Sequence, residues 1–170
     1  MNVWLIADTH FGHKFMIEGG IRPDNYEKLL WDSMAEKVLD GDLLIHLGDL
    51  AFKPSTEVGQ ALKMIKGNKI LVRGNHDGGF EKYFEMGFNA VVDEFHLNYH
   101  RHLHFTHEPK RQPFFGINIH GHLHGNEHRL QDDLAWYTEA KKVTGQYIDL
   151  APEIWGYRVV SLNEVLKKFR

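Results

Sequence analysis

The sequence predicts an α/β fold in which two β-sheets pack face to face and carry helices on their outer surfaces. Three observations lead there. The first half alternates short apolar runs with amphipathic stretches, in the repeated order strand then helix. From about residue 90 the alternation stops, and strand-type runs follow one another. Several of the apolar runs also end in Asp, His or both, a repetition that turn chemistry alone does not account for.

Taken in order, residues 3–7 form a short run of buried-strand type ending at Asp8-Thr9-His10. A loop through Gly19 and Gly20 leads to Pro23, and Asp24 with Glu27 makes a capping box for the first helix. That helix turns Tyr26, Leu29, Leu30, Met34 and Val38 to one face and stops near Gly41. Residues 43–47 are the second strand, ending at Gly48-Asp49. Ser55 caps a second helix with Val58, Leu62 and Ile65 toward the core and Gly67 at its close. Residues 69–73 are the third strand, running into Gly74-Asn75-His76-Asp77.

A short helix over residues 80–86 ends at Gly87, and strands follow at 90–92, 95–99, 103–106 and 115–120. The stretch 125–145 reads as a loop with at most a turn of helix around Trp136. Residues 147–150 and 157–160 read as strands, and Ser161 with Glu164 boxes a final helix through Val165, Leu166 and Phe169. With no repeat, low-complexity stretch or linker, residues 1–170 are expected to be one domain.

Composition narrows the function. A formal charge of −3 gives no general case for nucleic-acid or membrane affinity. The absence of cysteine excludes disulfides, thiolate zinc sites and cysteine nucleophiles, and fits a reducing cytoplasm. The N-terminal apolar run is too short for a signal core, and no stretch approaches the ~20 residues that span a bilayer. What stands out is 13 histidines, nine of them between His96 and His128.

Four polar signals follow strand runs: Asp8-x-His10, Gly48-Asp49, Gly74-Asn75-His76-Asp77 and Gly121-His122-x-His124. His107 ends a fifth. Ligands in open α/β sheets gather outside the carboxyl ends of strands, so these separate segments can meet at one edge. Carboxylates, an amide oxygen and imidazoles make a mixed N/O set that suits zinc, manganese, iron or nickel better than calcium. Seven candidates exceed one tetrahedral ion and match two ions sharing a carboxylate. Two divalent ions against Asp8 and Asp49, with Asn75 neutral, leave a cationic pocket that attracts phosphate. Such pairs, roughly 3.5–4 Å apart, can hold a hydroxide between them and clamp both oxygens of an in-line displacement.

In the order D-x-H, G-D, G-N-H-D, H, G-H-x-H over residues 8–124, the chain resembles the calcineurin-like metallophosphoesterase family, in its compact bacterial and phage-type form. Any one motif is weak; all five in order are specific. The resemblance implies a four-layer αββα sandwich of two mixed sheets. It assigns Asp8, His10 and His124 to a first ion, Asn75, His107 and His122 to a second, and Asp49 to both. His76 becomes a general acid or transition-state donor at the leaving oxygen, a role typically worth 10²–10⁴ in rate. Manganese is the expected metal, with zinc, iron or nickel as alternatives.

Two departures shape the substrate expectation. Gly48-Asp49 continues as Leu50-Ala51-Phe52, without the Asp-Arg of the protein-phosphatase branch, which leaves the orienting partner of His76 open. The chain also ends 46 residues after His124, too few for a large cap domain, so an open site is expected. The expected substrate is a phosphodiester, with cyclic nucleotides and nucleic-acid ends among the candidates, or a phosphomonoester. No membrane partner is expected, and oligomeric state stays open. The competing class is a binding module that keeps the fold without chemistry, which the complete ligand set disfavours. Metallo-β-lactamase-type and HD-type motifs fail on spacing and on the strand context of His76-Asp77.

Blander readings apply to the remaining candidates. Arg73 is divided evenly between phosphate contact and a strand-end salt bridge; Lys14 is a plausible phosphate contact. His13 reads mainly as a loop hydrogen-bonding residue that could help bind phosphate. His46, His120 and His128 read as structural, His100, His102 and His104 as solvent-facing, and Asp77 as a brace. Phe114-Phe115 could stack a nucleobase but reads more readily as core, and Trp155-Gly156-Tyr157 as packing.

Overall fold

The computed structural model describes residues 1–53, 55–111, 115–144 and 146–169. In chain order the strands are β1 (Val3–Ile6), β2 (Leu43–His46), β3 (Asn68–Val72), β4 (Ala90–Val92), β5 (Glu94–Tyr99), β6 (Arg101–Thr106), β7 (Ile117–His120), β8 (Tyr147–Asp149) and β9 (Val160–Ser161). The helices are α1 (Phe15–Glu18), α2 (Tyr26–Lys37), α3 (Thr56–Met64), α4 (Glu81–Glu85), α5 (Leu134–Thr144), α6 (Pro152–Trp155) and α7 (Leu162–Leu166).

One sheet has the order β4-β3-β2-β1-β9, and the other β5-β6-β7-β8. Both are mixed: β9 runs antiparallel to β1, and β5 antiparallel to β6, while the remaining pairs are parallel. Leu5 pairs with Ile45 and Ile45 with Ile70, so β1, β2 and β3 deliver their carboxyl ends to one edge. In the second sheet Phe105 pairs with Ile119, and β6 and β7 end together.

Period-2 alternation sorts each strand between layers. Ile6, Leu44 and Leu71 face Leu30 and Met34 of α2 and Leu62 of α3. Leu5, Ile45 and Val72 face the other way, onto Leu103, Phe105 and Ile119 of the second sheet. A smaller cluster of Leu123, Tyr137 and Tyr147 lies on that sheet's far side, packed by Trp136 and Ala140 of α5. Helices, sheet, sheet and helix make the four layers.

Several local expectations are corrected. The stretch read as a loop over 125–145 contains a 3₁₀ segment, Glu127–Asp133, and the 11-residue helix α5. Among its described side chains Tyr137 is the deeply buried one, with Trp136 and Ala140 packed beside it, and the Tyr137 hydroxyl meets His120 Nε2 at 3.1 Å. The cap of α2 is Asn25, without a side-chain bond, and Glu27 instead accepts from Gly12 N and the Tyr26 hydroxyl. Leu29 is exposed. β7 begins at Ile117, and Phe115 is 75% exposed, so it is not core; Phe114 lies outside the described residues. The strand read at 157–160 is the two-residue β9. Ser55 and Ser161 cap α3 and α7 as the sequence indicates.

Candidate metal centre

The loops after β1, β2 and β3 converge with those after β6 and β7. Parallel hydrogen bonding continues past the strand ends, with Asp8 N donating to Gly48 O, His10 N to Asp49 O and Phe11 N to Leu50 O. Asp77 ties the third loop in: its carboxylate accepts from Asp49 N, Leu50 N, Gly74 N and the Tyr83 hydroxyl. It is a brace. The glycines of the motifs permit close approach. A Cβ at Gly48 would lie 2.5 Å from Gly74 N and 2.6 Å from His107 Nδ1, one at Gly74 would overlap the Asp49 carboxylate, and one at Gly121 that of Asp8. Asp8, His10, Asp49, His122 and His124 all hold positive φ, between 47° and 70°, a region L-residues seldom occupy. Backbone strain of this kind persists only where the surroundings fix it.

Two groups of donor atoms result. Asp8, His10 and His124 form one and Asp8, Asp49 and His107 the other, so Asp8 belongs to both. His10 Nε2 and His124 Nε2 lie 3.2 Å apart, and His124 Nε2 lies 3.6 Å from Asp8 Oδ1. Asp49 Oδ2 sits 3.6 Å from His10 Nε2 and 3.5 Å from His107 Nε2, facing both groups. Asn75 Oδ1 is 2.9 Å from His107 Nε2 and 3.1 Å from His122 Nδ1, and those two ring nitrogens are 3.3 Å apart. All seven sequence-predicted ligand candidates are therefore brought together.

The electrostatics fit cations. Burial, and next the Asp49 charge, raises the Asp8 carboxyl well above its ordinary range, although His122 N donates to both its oxygens. Burial and then His124 hold His10 down to about 2, and burial lowers His122 and His124, so neutral imidazoles present lone pairs. Two buried carboxylates with lone-pair nitrogens and an amide oxygen crowded between them repel one another without a cation. His107 Nδ1 faces Leu47 O at 2.8 Å, which turns Nε2 inward as a ligating histidine requires.

His76 stands apart. Its side chain is 52% exposed, with Nε2 3.9 Å from Asp49 Oδ2 and the ring edge-on to His10. Its orientation comes through the backbone, His76 N donating to Asp49 Oδ1 at 2.9 Å. Arg73 is held by Asp93, stacks over Phe80 at 4.0 Å and donates to Gly78 O, the salt-bridge placement. His13 stacks on Phe52 at 4.4 Å and neighbours His10 at 5.6 Å.

The other histidines divide as follows. His46 is buried against the Thr9 hydroxyl and His120 against Tyr137, both structural. His100 and His102 are exposed, but His104 is buried with Nε2 2.6 Å from Phe115 O, which corrects its solvent-facing assignment.

Sequence reasoning missed Arg22 and Glu153. Arg22, buried in the loop before α2, donates to Asp8 O at 2.7 Å and Thr9 O at 3.1 Å. Its Nε meets Glu153 Oε1 at 2.7 Å, and the same oxygen lies 2.9 Å from His124 Nδ1. Burial alone would raise the Glu153 carboxyl, but His124 and Arg22 pull it down to about 2. Glu153 sits on α6, a four-residue helix started by Pro152 and ended by Gly156 at φ 68°. Neither residue belongs to a spaced motif, so no sequence signal marked them.

A family model described as calcineurin-like phosphoesterase matches residues 1–154. An uncharacterized protein of Methanocaldococcus jannaschii is 29% identical over 171 residues, covering 97% of this chain and 89% of its own. A protein of unknown function from Aquifex aeolicus has a crystal structure with TM-score 0.77, 24% identity and 98% coverage of both chains. Vacuolar protein sorting 29 of Cryptosporidium parvum matches more loosely, with TM-score 0.42, 19% identity and coverage of 72% and 64%.

Proposed function

The chain belongs to the calcineurin-like phosphoesterase family, and we propose that it is a single phosphoesterase unit that hydrolyses phosphodiesters with two divalent ions. Asp8, His10 and His124 would hold one ion, Asn75, His107 and His122 the other, and Asp49 both. The observation that carries this reading is the convergence of Asp8, His10, Asp49, His107 and His124 in two groups that share the Asp8 carboxylate, with Asp49 Oδ2 within 3.6 Å of His10 Nε2 and 3.5 Å of His107 Nε2. The family resemblance favours manganese, which the carboxylates and the amide oxygen accept, and the imidazole-rich donors admit zinc, iron and nickel as alternatives. When bound, such ions supply water activation and neutralise charge on the phosphoryl oxygens.

The chain's own residues do the rest. Asp8 and Asp49 return two charges against four, and Asn75 adds none, so the loaded pocket stays cationic toward phosphate. The half-exposed His76, at the edge of the site, donates a proton to the departing oxygen. An open cavity of about 360 Å³, lined by Gly74, Asn75, His107 and Glu108 and by the ion pairs Arg73–Asp93 and Lys110–Glu94, adjoins the second ligand group and offers room for a second ester arm, which favours a diester. A nucleotide or nucleic-acid end fits that class. Among the described residues no helix is long and apolar enough to cross a membrane; the absence of cysteine supports a cytoplasmic setting.

The test is metal content together with turnover of bis(p-nitrophenyl) phosphate and p-nitrophenyl phosphate in manganese. Wild type should bind two ions and cleave the diester faster; Asp49→Ala should lose metal and rate together. If neither ester is cleaved and Asp49→Ala matches wild type, the reading is wrong.

A further inference from the structure

His124 has two neighbours at Nδ1 that ask opposite things of it. Glu153 Oε1, at 2.9 Å, can only accept a hydrogen from Nδ1. Arg22 Nη2, at 3.2 Å, can only donate one to it. The first arrangement leaves Nε2 unprotonated, facing His10 Nε2 at 3.2 Å and Asp8 Oδ1 at 3.6 Å. The second puts the proton on Nε2, where it blocks ligation. We propose that Glu153 is a positioning residue that selects the metal-binding tautomer of His124, and that Arg22 holds its carboxylate in place. This rests on the reading of Asp8, His10 and His124 as the ligands of one ion.

The geometry explains why the pair must be charged and buried. Arg22 has no rotational freedom to follow the imidazole, because Nη1 and Nη2 are anchored on the carbonyls of Thr9 and Asp8. Those carbonyls belong to the loop that carries Asp8 and His10 at positive φ. One guanidinium therefore fixes two ligands through the backbone and a third through Glu153. Arg22 Nε and Glu153 Oε1 are 2.7 Å apart, close enough to keep the carboxylate aimed at Nδ1 and to outcompete Arg22 Nη2 there. Carboxylate–histidine pairs behind a metal typically govern affinity by 10–100-fold.

The test uses the full chain stripped of metal by a chelator and titrated with Mn²⁺ in a calorimeter. Long-range ¹H–¹⁵N spectra of the metal-free protein report the His124 tautomer. Wild type should carry the proton on Nδ1. Glu153→Met removes the acceptor and should move the proton to Nε2, weaken one of two ions by about 10–100-fold and leave the other unchanged. Glu153→Gln keeps an oxygen that can accept and should restore most of the affinity. Equal weakening of both ions, unchanged binding in Glu153→Met, or a proton on Nε2 in metal-free wild type overturns the proposal. The wild-type spectrum decides even if Glu153→Met does not fold. A wild type that binds two ions in this way but cleaves no diester leaves the tautomer assignment standing and removes the diester reading.

Discussion

At the scale of residues, neighbouring positions in one motif do different work. Asn75 points its amide oxygen at two imidazoles, Asp77 ties four hydrogen-bond donors, and His76 between them projects outward. Because the His76 side chain makes no hydrogen bond to either group of donors, and its contact with Asp49 Oδ1 comes from the backbone N–H that alanine keeps, His76→Ala should keep both ions. It should lose about 10²–10⁴ in turnover, most for esters with poor leaving groups. Metal analysis beside a leaving-group series checks this, and loss of an ion from the variant would remove the general-acid role. The ligand candidates were legible because each stands at a fixed offset from an apolar run. The strain at Asp8, His10, Asp49, His122 and His124 was not, since five non-glycine residues at positive φ follow from crowded loops and leave no compositional trace. Glu153 and Arg22 were silent for a related reason. Their partnership spans 131 positions and depends on a four-residue helix with no periodicity to detect.

At the scale of elements, the parallel strands were readable and the helices on the far side were not. β1, β2 and β3 carry the apolar runs 3–6, 43–45 and 70–72 because both faces of the sheet are covered there. α5 packs Trp136, Tyr137 and Ala140 against Leu123 and Tyr147 and sets Tyr137 on a buried histidine. This short aromatic patch is broken up by Thr138, Glu139, Lys141 and Lys142 and reads less clearly than an apolar strand run. The amino-terminal ends of β1 and β2 are tied by a side chain that belongs to none of the strand-end motifs. Asp42 accepts from Asn2 N at 2.7 Å and Trp4 Nε1 at 3.0 Å, and these bonds, the backbone one foremost, hold its carboxyl down to about 2. A carboxyl depressed in the folded state adds stability that is complete above its unfolded value near 3.8 and lost as pH falls through about 2. Denaturation midpoints of wild type and Asp42→Asn should therefore differ most above pH 4 and draw together toward pH 2. A gap that stays constant over that range would show that the charge contributes nothing.

At the scale of the whole molecule, the metal centre sits where the two sheets part company. Asp8, His10, Asp49 and Asn75 come from loops of the first sheet, and His107, His122 and His124 from loops of the second. The apolar layer from Leu5, Ile45 and Val72 to Leu103, Phe105 and Ile119 joins the sheets below, but the loop end holds mutually repelling carboxylates instead. On the proposed assignment each ion draws ligands from both sheets, so metal binding and cohesion of the sandwich are linked. A ligand that binds only the folded state adds about 2.7 kcal/mol at a hundredfold excess over its dissociation constant. For a chain of this size each kcal/mol shifts the melting temperature by about 2–4 °C. One tightly held ion should thus raise melting by roughly 5–10 °C over chelator-treated protein, and a second should add to it. Calcium should do much less, because imidazole nitrogens are poor ligands for it. Asp49→Ala should flatten the response to manganese, since its carboxylate faces both groups. Equal melting temperatures with manganese and with chelator would mean that the seven side chains meet without a stabilising ion, and that the two sheets hold together at this end by their loops alone.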